Sequence, residues 1–391
     1  MPKKDIFTHP ETFHGLNPKL LIEWLAPHRE YLGRKGFTLA EGEFVGPIDY
    51  ERLVAIFMEP DEAMPKQLIH SASIIQELGN EDAMTSLMGD SRVRKIVEVL
   101  GDDPDPYDVA LRVYLDDADL LQELHQIHQL DRPRSFTYFS SNLKKVPAFR
   151  EPTDNQMAAL EAELAGWFRK HKRGCYARVW IYHRPGTVWF LLRHGLANKR
   201  QEVLSDAGSS TVHFRPGEYD VLVYDQALSE LGIHGCNRAE VNFLKQAFGL
   251  HLFGSKEFFP GEEKYTYEPL LRGEACLACR DIAGMESVRL VEIQHFIGGR
   301  NRLRITYRSD DIFDAIKQGD MVMPPADQIV RACFLVRFID STKQRTVKIL
   351  GRNVLSVVHD SDTGVIVQWV AARGFVIKRT NDEEAEVVAG A

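Results

Sequence analysis

Apolar residues recur along this chain at two different spacings, and the spacing changes near residue 175. Before that point they recur every three or four positions, as on the buried face of a helix. The clearest sets are Leu20, Leu21, Trp24 and Leu25, then Leu53, Ile56 and Phe57, then Leu120, Leu121, Leu124 and Ile127. After residue 175 apolar and polar residues alternate, as in strands with one buried face. The pattern predicts helices first and strands afterwards.

The strongest strand signal is a hairpin that begins near residue 175. Alternate positions of its first strand are apolar: Cys175, Ala177, Val179 and Ile181. Arg184-Pro185-Gly186-Thr187 turns the chain into a second strand, Val188 to Arg193. Further strands are predicted at Tyr219–Tyr224, Val288–Phe296, Arg302–Arg308, Ile329–Phe338 and Thr346–Leu350. Tight turns without a regular β-α-β rhythm predict an α+β domain around a mainly antiparallel sheet.

Charge and proline positions suggest where the chain divides. Residues 1–160 hold 17 Lys and Arg against 27 Asp and Glu, so the front of the chain is acidic. The predicted organisation is an acidic helical domain over 1–130, a proline-rich connector over 131–153, a basic α+β domain over 154–379 and a loose acidic tail over 380–391.

Composition excludes several classes of protein. A chain of 391 residues with 44% hydrophobic residues and net charge −8 has enough apolar material for folded domains, which excludes disorder. It contains no run of about 20 uncharged apolar residues, so no membrane partner is expected. Five cysteines, an odd number, are interpreted as free thiols, and a cytoplasmic location is expected.

The segment 165–201 is rich in both cations and aromatic rings. It holds nine Lys and Arg and no Asp or Glu. Alternation also predicts that Arg302, Arg304 and Arg308 share one face of the predicted strand Arg302–Arg308. Such surfaces suit phosphate contacts and base stacking. The predicted nucleic-acid-binding residues are Arg169, Lys170, Lys172, Arg173, Arg178, Trp180, Tyr182, Arg302, Arg304 and Arg308. The alternative is an ordinary solvated sheet face, or one on which the acidic domain docks.

Two short patterns raise the alternative of an enzyme. Arg193-His194-Gly195 at a strand end resembles the opening of histidine phosphatases, which implies a histidine nucleophile and an arginine that holds phosphate. The sequence departs from that family after the glycine, and the family's fold requires a parallel sheet. Asp220 and Asp225 flank a strand as in metal-dependent nucleases, but the expected lysine is absent. The alternative interpretation is that the Arg193-His194-Gly195 pattern is a solvated strand end and that Asp225 begins a hairpin turn.

Two further groups of residues are candidates for binding. Cys276 and Cys279 form a CxxC pair that could join His234 and Cys236 around zinc, although no second CxxC accompanies it. We expect no bound metal and no cofactor. The adjacent Phe258 and Phe259 lie in a predicted loop and would anchor a protein partner if exposed, the alternative being burial in the core.

A longer succession of motifs carries a second resemblance. Leu191-Leu192-Arg193-His194-Gly195, Phe214-Arg215-Pro216-Gly217 with Tyr219-Asp220-Val221, and Phe248-Gly249-Leu250-His251-Leu252-Phe253-Gly254 are similar to segments of uncharacterised bacterial proteins. The resemblance implies a bacterial system, with antiviral defence or DNA processing as the context. The sequence is therefore interpreted as a non-catalytic nucleic-acid-binding or adaptor subunit. The alternative is a phosphoesterase or a metal-dependent nuclease.

Overall fold

The computed structural model describes residues 13–39, 47–101, 104–132, 135–141, 143, 149–205, 208–235, 237–339, 341, 343–357 and 363–377. The chain divides into two compact units, Met1–Asp131 and Arg132–Ala391. The predicted tail over 380–391 lies outside the described residues, as does Cys236.

The first unit consists of short helices around one apolar core. Its helices are α1 (Pro18–Leu25), α2 (Arg29–Arg34), α3 (Tyr50–Met58), α4 (Lys66–Leu78), α5 (Glu81–Leu87), α6 (Ser91–Leu100), α7 (Pro106–Asp116) and α8 (Ala118–Asp131). Asn17 caps α1 by accepting a hydrogen bond from the backbone N–H of Lys19, and Pro18 occupies the first helical position. The indole N–H of buried Trp24 donates to Ser71 Oγ at 3.0 Å, which ties α1 to α4. The predicted N-terminal helical region is confirmed.

The second unit is built on one ten-stranded sheet. Its elements are β1 (Phe136–Ser140), α9 (Asp154–Lys170), β2 (Ala177–Arg184), β3 (Thr187–Gly195), β4 (Lys199–Ser205), β5 (Gly208–Phe214), β6 (Gly217–Asp225), β7 (Glu230–Ile233), α10 (Arg238–Phe253), a 3-10 segment (Glu268–Leu277), β8 (Met285–Gly298), β9 (Leu303–Arg308), α11 (Ile312–Gln318), β10 (Ile329–Phe338), β11 (Arg345–Leu350), β12 (Val354–Ser356) and α12 (Thr363–Ala372).

The strand order of the large sheet is β2-β3-β6-β7-β1-β12-β11-β10-β8-β9, and β4 and β5 form a separate two-stranded sheet. Every pairing within the large sheet is antiparallel. The α+β class with a mainly antiparallel sheet is therefore confirmed. Strands β2 and β9 are its two edges.

The segment predicted as a connector contributes a central strand. β1 pairs with β7 on one side and β12 on the other, so residues 136–140 join the two halves of the sheet. The predicted connector over 131–153 therefore contains a central strand, which the interpretation of its prolines as strand breakers did not allow. Pro133 and Pro147 lie outside the described residues.

The two halves of the sheet bury opposite faces. Helices α9 and α10 pack on β2, β3, β6 and β7 around Phe190 and Leu222. Helices α11 and α12 pack on β8, β10 and β11 around Phe334. Phe136 of β1 is the register partner of Leu355, which belongs to the second core, whereas Phe139, on the other side of β1, belongs to the first. Each half of the sheet therefore leaves a different face without its helices.

No helix within the described ranges combines the length and the apolar character that crossing a lipid bilayer requires.

Candidate nucleic-acid interface

Strand β2 sends one set of side chains away from the helices. Val179 points into the core with α9, so Arg178, Trp180 and Tyr182 lie on the opposite face by alternation. The predicted sharing of one face by these three residues is confirmed by the pairing of β2 with β3. Arg178 pairs with Arg193 in that register.

The neighbouring strands extend this surface. Trp189 is the register partner of Tyr182, and Arg193 pairs on its other side with Tyr219 of β6. We name the combined surface the arginine–aromatic face. Its members are Arg178, Trp180, Tyr182, Arg184, Trp189, Arg193 and Tyr219.

Arginines of this face lie against its rings. The guanidinium of Arg184 is 4.7 Å from the centroid of the Trp189 ring, and that of Arg193 is 5.4 Å from the centroid of Tyr219. Such cation–π contacts orient the arginine side chains. Arg178 forms an ion pair with Glu161 of α9 at 3.1 Å and remains more than half exposed. The face thus combines oriented cations with half-buried rings.

A cluster of exposed cations lies at the end of α9. Arg169 and Lys170 occupy its last turn, and Lys172 follows with a positive φ of 64°. Cations at this position interact favourably with the helix dipole. All three are exposed, as the sequence interpretation requires of phosphate-binding residues.

Arg173 does not belong to this surface, and its assignment to the nucleic-acid-binding set is wrong. Its side chain is buried and donates through Nη1 to Glu240 Oε1 at 2.5 Å. Its Nη2 lies 3.2 Å from His194 Nδ1. Glu240 is fully buried at the start of α10, so Arg173 supplies the charge that this carboxylate needs.

His194 forms the other end of the same buried network. Its Nε2 lies 2.9 Å from Asp220 Oδ2, and its ring stacks on Phe168 with centroids 4.2 Å apart. His194 Nδ1 faces both the guanidinium of Arg173 and, at 3.1 Å, the carbonyl oxygen of Gly195. One ligand atom from each of His194, Asp220 and Glu240 lies within 4.8 Å of the other two, so this group could hold a metal ion. The guanidinium of Arg173 contacts His194 and Glu240, so a cation already lies in the cluster.

The Arg193-His194-Gly195 pattern has a structural explanation at each position. Arg193 contacts Tyr219, and His194 is buried with its exposed fraction at 1%. A Cβ on Gly195 would lie 2.5 Å from the carbonyl oxygen of Arg173. A nucleophile must reach its substrate, and both neighbours of β3 are antiparallel rather than parallel. These observations do not favour the phosphatase resemblance.

The two candidate nuclease carboxylates do not converge. Asp220 and Asp225 are five positions apart on β6, so their side chains point to opposite faces. Asp220 is buried against His194, whereas Asp225 accepts a hydrogen bond from the backbone N–H of Leu228 in a turn. No shared metal position follows from this arrangement.

The second basic strand lies apart from the first. Arg304 and Arg308 belong to β9, whereas Arg302 precedes the strand in a turn with a φ of 49°. β9 is the opposite edge of the sheet from β2, about 40 Å away at ordinary strand spacing. The arginines of β9 also project from the other face of the sheet. Arg308 Nε donates to Glu292 at 2.6 Å, and Glu292 is the register partner of Cys333 in β10. The next residue, Phe334, points into the second core, so Cys333, Glu292 and Arg308 lie on the opposite face.

Part of the charge of that second surface is neutralised locally. Burial raises the pKa of the Glu292 carboxyl, but the hydrogen bonds and charges of Arg308 and Arg331 outweigh this, and the net pKa lies below its usual range. Arg331 Nη1 lies 3.2 Å from Glu292. The two basic strands therefore form two separate surfaces, and the β2 surface has the denser set of rings.

The candidate zinc ligands are not gathered among the described residues. Cys276 and Cys279 are both buried in the second core, and burial raises the pKa of the Cys276 thiol to about 12. His234 Nδ1 lies 3.2 Å from the carbonyl oxygen of Ser135. Cys236 lies outside the described residues. Within the described part of the chain, the His194–Asp220–Glu240 group is the one set with metal-ligand proximity.

The two loop phenylalanines do not form an exposed anchor. Phe258 and Phe259 are 8% and 1% exposed and pack with Phe253 and Tyr224 in the first core. The alternative interpretation, burial of these rings in the core, is confirmed, and burial removes their apolar area from water.

Sequence reasoning missed part of the face. Trp189, Arg193 and Tyr219 belong to it, and the alternation of β3 alone places Trp189 and Arg193 on one side. It also missed the β4–β5 hairpin, whose alternation is weak because its strands are polar. No known protein family matches this sequence, and no curated protein is significantly similar to it.

Proposed function

We propose that this protein binds single-stranded nucleic acid through the arginine–aromatic face. The observation that supports it most is the contact of arginines with rings on one side of β2, β3 and β6. Guanidinium groups neutralise phosphates, and each ring offers a stacking surface to any base. Because neither contact depends on which base is present, we expect binding with little sequence preference.

The proposal makes the protein a non-catalytic subunit. His194, Asp220 and Glu240 are engaged with one another and with Arg173, away from solvent. The members of the arginine–aromatic face are cations and rings, and Asp225, on the same side of β6, is held in a turn by the backbone N–H of Leu228, so the face offers binding groups. The adaptor role in a bacterial system, with antiviral defence as its context, is part of the same proposal.

A binding titration tests it. Fluorescence anisotropy with labelled single-stranded DNA and RNA of about 12 nucleotides would measure affinity at several salt concentrations. The logarithm of the association constant should fall with the logarithm of salt, with a slope of about −0.7 for each phosphate contacted. Absence of binding to both strands at low salt would reject the proposal.

Matched variants locate the site. Arg193→Gln removes a phosphate contact and should reduce the salt slope, while Trp180→Leu removes a stacking ring and should cost about 1–3 kcal/mol of binding free energy. Arg280→Gln removes an exposed arginine from the other half of the sheet unit and serves as the control. Equal effects from all three variants would place the interface elsewhere.

A further inference from the structure

A two-stranded arm leaves the sheet between β3 and β6. Strands β4 and β5 pair with each other over Lys199–Phe214 and form their own sheet. Each described side chain on these strands is exposed. Seven residues per strand give a reach of about 24 Å. An isolated hairpin of this kind gains little stability from packing within the chain, so its exposed side chains are available to an outside partner.

The base of the arm is held firmly. Arg215 Nη1 donates to the carbonyl oxygens of Lys172 at 2.7 Å and Leu196 at 2.9 Å. The backbone N–H of Leu196 donates to Pro216 at 2.8 Å, directly beyond the last β3–β6 pair. These bonds join the arm to the loop after α9, so its root is fixed relative to the exposed cations there.

The chemistry of the arm is polar and basic at its root. Lys199 and Arg200 begin β4, close along the chain to Arg193. Strand β5 carries three consecutive hydroxyl side chains, Ser209, Ser210 and Thr211. Ser209 Oγ donates to Glu202, the one acid on the two strands. Farther out, Leu204 is 79% exposed.

We propose that this arm enters a groove of double-helical DNA, an inference that rests on the proposed nucleic-acid function and names a second form of its ligand. The major groove of B-DNA, about 12 Å wide, admits a two-stranded ribbon. Hydroxyl groups donate to phosphates and base edges, and an exposed apolar side chain such as Leu204 can contact thymine methyl groups in that groove. The root cations then lie against the phosphate backbone.

The side-chain pattern of the arm favours DNA over an apolar protein groove. A protein groove that takes up a strand selects apolar side chains along one face. One face of the arm carries Val203, Val212 and Phe214, but the polar side chains of Lys199 and Gln201 lie on the same face, so it is not continuously apolar. Cations at the root and hydroxyls along β5 complement a polyanion. Duplex RNA is disfavoured because side chains cannot enter its narrow major groove.

Binding of the full chain to three probes tests the inference. The probes are a 20-base-pair DNA duplex, an RNA duplex of the same sequence, and a single-stranded DNA. One variant replaces residues 199–213 by a short Gly-Ser turn, which leaves the β3–β6 pairing intact. Arg200→Glu is a second variant that keeps the arm, and Arg280→Glu is its control. We expect the two arm variants to weaken duplex DNA binding by about tenfold or more, with single-strand affinity within about twofold of the native chain.

The outcomes separate the two proposals. Duplex binding unchanged in both arm variants, with single-strand binding intact, overturns the arm inference alone. Absence of binding to any probe overturns both proposals. An arm-dependent affinity for RNA duplex equal to that for DNA overturns the groove assignment. Loss of a dimer in light scattering on arm replacement, with no change in DNA binding, assigns the arm to a second copy of the chain and overturns the inference.

Discussion

His194 Nε2 and Asp220 Oδ2 lie 2.9 Å apart on the neighbouring strands β3 and β6, and both side chains are buried. His194 Nδ1 lies 3.2 Å from Arg173 Nη2, and Arg173 in turn donates a hydrogen bond to Glu240 at the start of α10. The network therefore connects two adjacent strands, the loop after α9 and a second helix. Its position beneath the root of the arm makes it a support for the proposed interface.

Removing Glu240 tests this structural role. In Glu240→Ala the buried guanidinium of Arg173 loses its counter-charge, which should cost about 3–5 kcal/mol of unfolding free energy. Urea unfolding followed by tryptophan fluorescence measures it, because Trp167, Trp180, Trp189 and Trp369 all belong to the sheet unit. Glu286→Gln breaks an exposed pair with Arg337 and should cost about 0–1 kcal/mol. Equal costs would mean that the buried pair contributes no more than a surface pair.

Two glycines should respond to alanine in opposite directions. A Cβ on Gly195 meets the carbonyl oxygen of Arg173 at 2.5 Å and Arg215 Cδ at 2.6 Å, so Gly195→Ala should destabilise by about 1–3 kcal/mol. Gly166 lies inside α9 with open space around the corresponding position, so Gly166→Ala should stabilise by about 0.5–1 kcal/mol. The shift in melting temperature checks both signs. If Gly195→Ala left the melting temperature unchanged, the backbone and Arg215 at the root of the arm would have moved to accommodate the Cβ.

Thiol labelling should distinguish core cysteines from zinc ligands. Burial raises the pKa of Cys276 to about 12, so this residue remains a protonated thiol from neutral pH to pH 9, and burial also raises the pKa of Cys279. Exposed Cys175 should be alkylated rapidly, while peptides with the other two are labelled only after unfolding. Mass spectrometry with and without a chelator measures this. Labelling of Cys276 on chelation alone would indicate a metal site.

The start of a fragment of the sheet unit decides whether it folds. A fragment from residue 132 keeps β1, whereas one from residue 152 lacks it and leaves β7 and β12 without their shared neighbour. We expect the shorter fragment to aggregate, because exposed central strand edges pair with other chains. Size-exclusion chromatography of both fragments tests this. A monomeric, folded fragment from residue 152 would contradict the central role of β1.

Local patterns were enough to predict some parts of the molecule. The β2–β3 hairpin and the shared face of Arg178, Trp180 and Tyr182 follow from alternation, which depends on neighbouring residues alone. The burial of Arg173 could not be predicted, because its partner Glu240 is 67 positions away. Likewise, the placement of β9 and β2 at opposite edges depends on strand order, which no local pattern contains.

The central position of β1 also has a consequence for biosynthesis. β1 emerges early from the ribosome, yet Thr137 pairs with Ile233 on one side and with Val354 on the other. The first of these partners is synthesised well before the second, so one edge of β1 stays unpaired until residue 354 has been made. Closing so long a loop slows folding and leaves that edge open to other chains. The last strand to be synthesised, β12, is therefore the one that completes the middle of the sheet.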